Sequence, residues 1–120
     1  MQAIQVTKVG GPEVLTLTDL PVPSPKPNEA LVEIKAAGVN FIDVYFRGGR
    51  YPTQLPFVNG QEGAGVVVQT GSEVTNVQRG DRVAYTGALG SYAQYAAVPE
   101  SRLVKIPDEL DFEQAAAAML

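Results

Sequence analysis

A mainly β domain, a barrel or a sandwich, is what these 120 residues predict, and three observations carry that prediction. Short runs of alternating apolar and polar residues recur about seven times, with turn signals every 8–12 residues or so. Gly 12 plus Pro 9 make 21 of the 120 residues, well above an average of about 12% yet below the roughly 25–30% that marks disorder. Hydrophobic residues make up 45% of the chain, enough to bury one ordered core. This length suits one domain, residues 1–120, and not two.

The elements follow in order. Ile4 and Val6 alternate with Gln5 and Thr7, and after Gly10-Gly11-Pro12, Leu15 and Leu17 alternate with Thr16 and Thr18. Two such runs across a Gly-Gly-Pro break predict an opening hairpin. Pro21, Pro23, Pro25 and Pro27 each lack a backbone donor, so that stretch is an extended surface connector and not a central strand. Leu31–Ala36 resumes as a strand, with Val32, Ile34 and Ala36 on one face. The alternation then breaks at GVNFIDVYFRGGRYP (38–52). Asn40 is a good N-cap, Asp43 stands three residues on, and Phe41, Val44 and Tyr45 fall at helical spacing before Gly48-Gly49.

GAGVVVQT (63–70) reads as a strand whose first half is nearly free of side chains, where another backbone or a ligand can come close. Arg82–Tyr85, Ser91–Val98 and Arg102–Ile106 complete the strands. Asp111-Phe112-Glu113-Gln114 carries a capping-box pattern and AAAAML follows, which predicts a helix from about 111 still running at Leu120. The pattern shows no stop signal, so the expectation is a domain cut short.

Composition closes several doors. Lys+Arg 9 against Asp+Glu 13 gives a net charge of −4, and the scattered cations form no patch able to neutralise phosphates, which argues against nucleic acid. No apolar run approaches the roughly 18 residues of a membrane span. The first residues lack a secretory h-region, and a cytoplasmic protein is expected. Cys 0 and His 0 remove disulfides, thiolate or imidazole metal sites and any histidine base. Chemistry here falls to Tyr, Asn, carboxylates, Ser/Thr or Lys, or to a cofactor. Gly60-Gln61-Glu62-Gly63-Ala64-Gly65 has its glycines out of dinucleotide order and leads into a valine run instead of a helix, and no P-loop exists.

GVNFIDVYFRGGRYP, GQEGAGVV (60–67), GDRVAY (80–85) and GSYAQYAAVP (90–99) occur in that order, with GGPEVL before them and IPDELDFEQAAAAML after. Together they resemble the N-terminal part of zinc-independent, ζ-crystallin-like quinone oxidoreductases of the medium-chain dehydrogenase/reductase superfamily. The resemblance covers essentially the whole chain. It implies a GroES-like, partly open β-barrel with one or two short helices, truncated before a Rossmann domain. It implies NADPH as cofactor, a quinone or enone as substrate, and hydride transfer without metal. The zinc-dependent relatives hold Cys and His where this chain has Asn40 and Gln61.

Carried over by that resemblance, Tyr45 and Tyr51 are the candidate catalytic residues, able to donate to a substrate oxygen. Asn40, Asp43 and Tyr45 are the candidate cofactor contacts, with helix capping and ring packing as the plain alternatives. Glu62 is expected to be structural, bonding backbone or an Arg, and Ser91, Tyr92 and Tyr95 to be core or surface. These 120 residues alone are expected neither to hold NADPH well nor to turn over. An enoyl reductase of the same superfamily, and a stand-alone GroES-like interaction module that self-associates through unpaired strand edges, remain the rival readings.

Overall fold

In a computed structural model describing residues 1–120, eight strands form two sheets that do not close on one another. The opening hairpin pairs β1 (Gln2–Val6) with β2 (Thr16–Asp19), setting Ile4 opposite Leu17, with one 3-10 turn at Pro12–Val14 in the connection. The long β3 (Glu29–Gly38) leads into α1 (Phe41–Arg47), and the short β4 (Phe57–Val58) joins β1 on its other side. Then come β5 (Glu62–Thr70), β6 (Arg82–Thr86), β7 (Tyr95–Pro99), β8 (Val104–Lys105) and α2 (Phe112–Ala116). The sheet orders are β2-β1-β4 and β7-β3-β5-β6-β8, all antiparallel. This is the mainly β, partly open architecture anticipated, with two short helices. No helix is long and apolar enough to cross a membrane.

Three elements differ from expectation. Ser91–Val98 is not one strand: only Tyr95–Pro99 lies in the five-stranded sheet. The residues before it cross to the other sheet, where Tyr92 O accepts from Ile4 N at 2.8 Å and Gln94 N donates to Gln2 O at 3.1 Å. Arg102–Ile106 shrinks to the two-residue β8, because Glu100–Arg102 closes a 3-10 turn with Leu103 N on Glu100 O at 3.1 Å. The last helix starts where expected, with Gln114 N on Asp111 Oδ1 at 2.7 Å and Asp111 N on Gln114 Oε1 at 3.0 Å. It stops at Ala116 instead of running to Leu120. The final two amides turn inward to the Glu62 carboxylate, which outcompetes further helix.

The main core lies beneath the five-stranded sheet, where Val32, Val67, Val83, Tyr85 and Val98 are fully buried. A second cluster seats Ala115 and Ala116 of α2 on Ala64, Ala84 and Ile106. Small residues on both sides let helix and sheet approach closely. Gly65 of β5 sits opposite Ile34 and packs directly on the Glu33 carbonyl: a Cβ there would collide with that oxygen and reach Val32 Cγ1 at 3.0 Å. Because the obstacle is backbone, the sheet cannot yield cheaply. Gly65→Ala is therefore expected to lower the unfolding free energy by about 2–3 kcal/mol. A urea midpoint unchanged within error would show that β3 can slide away from β5.

Candidate active site

Where β3 gives way to α1, Asn40 is extended (φ −133, ψ 158) and begins the helix, its carbonyl accepting from Asp43 N at 3.1 Å. The Asp43 carboxylate returns the contact, Oδ2 accepting from Asn40 N at 3.0 Å. The Asn40 side chain bridges the helix start and β5: its oxygen faces the Asp43 N–H in a capping-box arrangement, and Nδ2 donates to Glu62 Oε1 at 2.9 Å. Glu62, at the head of β5, is 2% exposed. Its other oxygen accepts from Met119 N at 2.7 Å and Leu120 N at 2.9 Å. Three N–H donors are what a buried carboxylate requires. The approach depends on Gly38, opposite Glu62 in the register, where a Cβ would overlap Glu62 Oε1 and come within 2.7 Å of Ala116 O. The structural, backbone-bonding role expected of Glu62 is what it has.

Asp43 is 4% exposed. Besides Asn40 N, its Oδ2 accepts from the Tyr92 hydroxyl, and its backbone carbonyl accepts from Asn59 Nδ2 at 3.1 Å. Its Oδ1 is buried and has no partner. Burial, and then the Asp43 carboxylate, raise the Tyr92 phenol well above its ordinary value of 10, and burial does the same to Tyr85. Asn59 ties three segments together: its N–H donates to Ile4 O at 3.2 Å, its carbonyl accepts from Tyr92 N at 3.0 Å, and its amide holds α1. A cleft of about 270 Å³ opens among Asn40, Asp43, Val44, Arg47, Asn59 and Tyr92. Beside it an apolar hollow of about 380 Å³ is lined by Val39, Asn40, Phe41 and Val44.

The apolar face that helical spacing draws on α1 is the exposed one. Val39 and Phe41 are 83% and 82% exposed, while the residue α1 buries is Asp43. Tyr45, one turn on from Phe41, stacks edge-on with Tyr51 at 5.5 Å, and Tyr51 meets Phe46 at 5.6 Å. Arg50 lies 4.7 Å over the Tyr45 ring. Tyr51 is 42% exposed. The two tyrosines are thus partners of each other, but neither lines the cleft beside Asn40. Asn40 and Asp43 are brought together; Tyr45 and Tyr51 form a separate group on the same helix and the loop after it. Tyr92 and Asn59 escaped the sequence argument. A carboxylate inside the otherwise apolar FIDVYF was the one signal that a buried donor had to exist somewhere.

The alcohol dehydrogenase GroES-like domain family matches residues 26–108. The quinone oxidoreductase of Pseudomonas aeruginosa is 52% identical over 119 residues, covering 98% of this chain and 37% of the relative. Quinone oxidoreductase 1 of Escherichia coli is 44% identical, covering 98% of this chain and 36% of its own. The solved structure of Escherichia coli quinone oxidoreductase complexed with NADPH superposes with a TM-score of 0.95 at 43% identity, over 100% of this chain and 37% of that one. The chain spans little more than a third of the length of the curated relatives it matches.

Two phenols, Tyr85 buried and Tyr92 half-buried against Asp43, set an alkaline limit on stability. Tyr85 and Tyr92 keep their protons in the folded state at pH values where an unfolded tyrosine, near 10, loses its own. The folded state then binds more protons than the unfolded one, so stability holds below about pH 10 and falls above it. Tyr92→Phe is expected to cost about 1–2 kcal/mol at pH 7 by removing a donor from Asp43, and to flatten the alkaline fall. Denaturant midpoints between pH 7 and 11 test both; an alkaline slope unchanged by Tyr92→Phe would remove Tyr92 from the account.

Proposed function

The chain belongs to the alcohol dehydrogenase GroES-like domain family, and on that premise we propose that it forms the catalytic portion of a zinc-independent quinone oxidoreductase. In this reading NADPH is the cofactor, and a quinone or enone is the hydride acceptor. The observation that carries it is the cleft beside Asn40, walled by the polar side chains of Asn40, Asn59 and Tyr92 and by the exposed apolar Val39 and Val44. The naming of its relatives, one of them complexed with NADPH, supports the same assignment.

The residues fit such a cofactor. Val39, Phe41 and Val44 offer an apolar surface to a flat ring and keep water from it. The Asn40 side-chain oxygen would accept from an N–H or O–H group of it, and Asp43 holds the helix start beneath. NADPH, when bound, supplies the hydride, and the protein supplies position and electrostatics. Tyr45 and Tyr51 have hydroxyls with no protein partner and would donate to the substrate oxygen as it gains charge. The Arg50 guanidinium on the Tyr45 ring adds positive potential on that side. With no Cys and no His in the sequence, polarising that oxygen falls to these donors. The cofactor's phosphates find no glycine-rich strand-to-helix turn in these residues, so the 120 residues alone would bind NADPH weakly and not turn over.

The full-length protein is expected to oxidise NADPH in the presence of 1,4-benzoquinone. Tyr45→Phe and Tyr51→Phe should each lower kcat about 10- to 100-fold with little change in the KM for NADPH. No quinone-dependent oxidation would overturn the assignment, and unchanged kcat in both variants would overturn the roles given to the tyrosines.

A further inference from the structure

Asn40 can face the cleft with either end of its amide, and the two ends are opposite in polarity: Oδ1 accepts and Nδ2 donates. The choice is made from behind. Glu62 Oε1 lies 2.9 Å from the Asn40 amide, and an ionised carboxylate has only acceptors to offer. Asn40 must therefore turn Nδ2 toward Glu62, which leaves Oδ1 on the opposite side, near the Asp43 N–H but with no full hydrogen bond to it, on a residue lining both hollows. Glu62 cannot swing away, because Met119 N and Leu120 N hold its other oxygen and the Gly38 backbone lies against it.

We propose that Glu62 is a positioning residue that sets the polarity of the cleft: it fixes Asn40 with Oδ1 outward, so that this wall selects a ligand group bearing an N–H or O–H donor. The Asp43 carboxylate behind it is closed off, Oδ2 held by Asn40 N and the Tyr92 hydroxyl and Oδ1 buried, so the Asn40 amide is the group left to face a ligand. The inference rests on the reading that the cleft takes a nicotinamide cofactor, whose carboxamide and ribose hydroxyls are donors. It adds to that reading a residue that never touches the ligand.

Reversing the polarity of the Glu62–Asn40 bond separates this role from a merely structural one. Glu62→Gln keeps an acceptor for the amides of Met119 and Leu120 but can place an N–H against Asn40, which then flips and turns a donor toward the ligand. Asn40→Asp alone sets two carboxylates against each other. Combined, the two substitutions rebuild the same hydrogen bond with its polarity reversed, the new amide donating to the new carboxylate, and again leave an acceptor facing the cleft.

In the full-length protein, NADPH affinity is measured by fluorescence titration, and thermal midpoints are recorded without ligand. Each single variant is expected to weaken NADPH binding about tenfold and to lower the midpoint. The double variant should recover to within about threefold of the unsubstituted protein, with its midpoint restored. Additive losses in the double variant, in affinity and in midpoint, would overturn the proposal. If either single variant fails to fold, recovery of folding and binding in the double variant supports it, and a double variant that also fails to fold overturns it. If the unsubstituted protein does not bind NADPH, the cofactor reading falls, while recovery or further loss of the midpoint still decides whether Glu62 orients Asn40.

Discussion

The buried charge of Glu62 constrains more of this molecule than any other single group. An ionised carboxylate removed from water must be met by donors, and losing one of them leaves the charge uncompensated at a cost of several kcal/mol. The donors come from two distant places: the Asn40 side chain at the mouth of α1, and the backbone beyond α2 at Met119 and Leu120. Gly38, opposite Glu62 in the β3–β5 register, must stay without a side chain for them to meet. Strand register, the start of α1 and the path after α2 thus answer to one carboxylate. The same glycine-rich pairing lets α2 settle on Ala64 and Ala84.

α1 is too short to hold itself together in water, and its polarity is mixed, with Asp43 buried, Phe46 packed on the Val6–Val14–Phe57 cluster and Phe41 and Val44 toward solvent. Hydrogen bonds to other segments hold it in place. Tyr92 and Asn59 bind Asp43 from one side. At the far end Arg47 exchanges two bonds with Gly10, accepting from Gly10 N at 3.0 Å and donating from Nε to Gly10 O at 3.3 Å. A helix clamped by polar contacts is free to show its apolar face outward. A contiguous exposed apolar patch on a rigid support marks a surface meant to be covered.

What could be read in the sequence was what local chemistry decides. The opening hairpin, β3, β5 and β6 follow from period-two alternation between glycine and proline breaks, and both helices start at the caps Asn40 and Asp111 as their side chains dictate. Where partners distant in the chain decide, the sequence was mute. Tyr92, Gln94, Ala96 and Val98 alternate like a strand, yet Asn59 and Ile4 draw the first of these residues to the other sheet. Helical spacing identified α1 but could not say which face is buried, since that depends on Tyr92 and Asn59. AAAAML favours helix throughout, but a carboxylate 57 residues away from Met119 captures the last amides. Of the four candidate site residues, the spacing of Asn40 and Asp43 already implied that they meet; the separate grouping of Tyr45 with Tyr51 could be seen only in three dimensions.

That separation has a chemical consequence. On one side of α1 stand the Asn40 amide, held by Glu62, and beneath it the buried Asp43 carboxylate, held by Tyr92. On the other side stand donors, the two phenols of Tyr45 and Tyr51 with the Arg50 cation resting on a ring. The exposed apolar residues Val39, Phe41 and Val44 flank the acceptor side. In the function proposed, a molecule with N–H or O–H groups would meet the Asn40 amide on the first side, and an oxygen gaining negative charge would meet the phenols on the second. The proposed hydride transfer would use that sorting, with the reductant held on one side and the acceptor oxygen stabilised by the phenols on the other as it becomes an anion. The burial of Asp43 and the exposure of the aromatic face are therefore two aspects of one arrangement, in which a seven-residue helix is turned so that its sides carry opposite polarity.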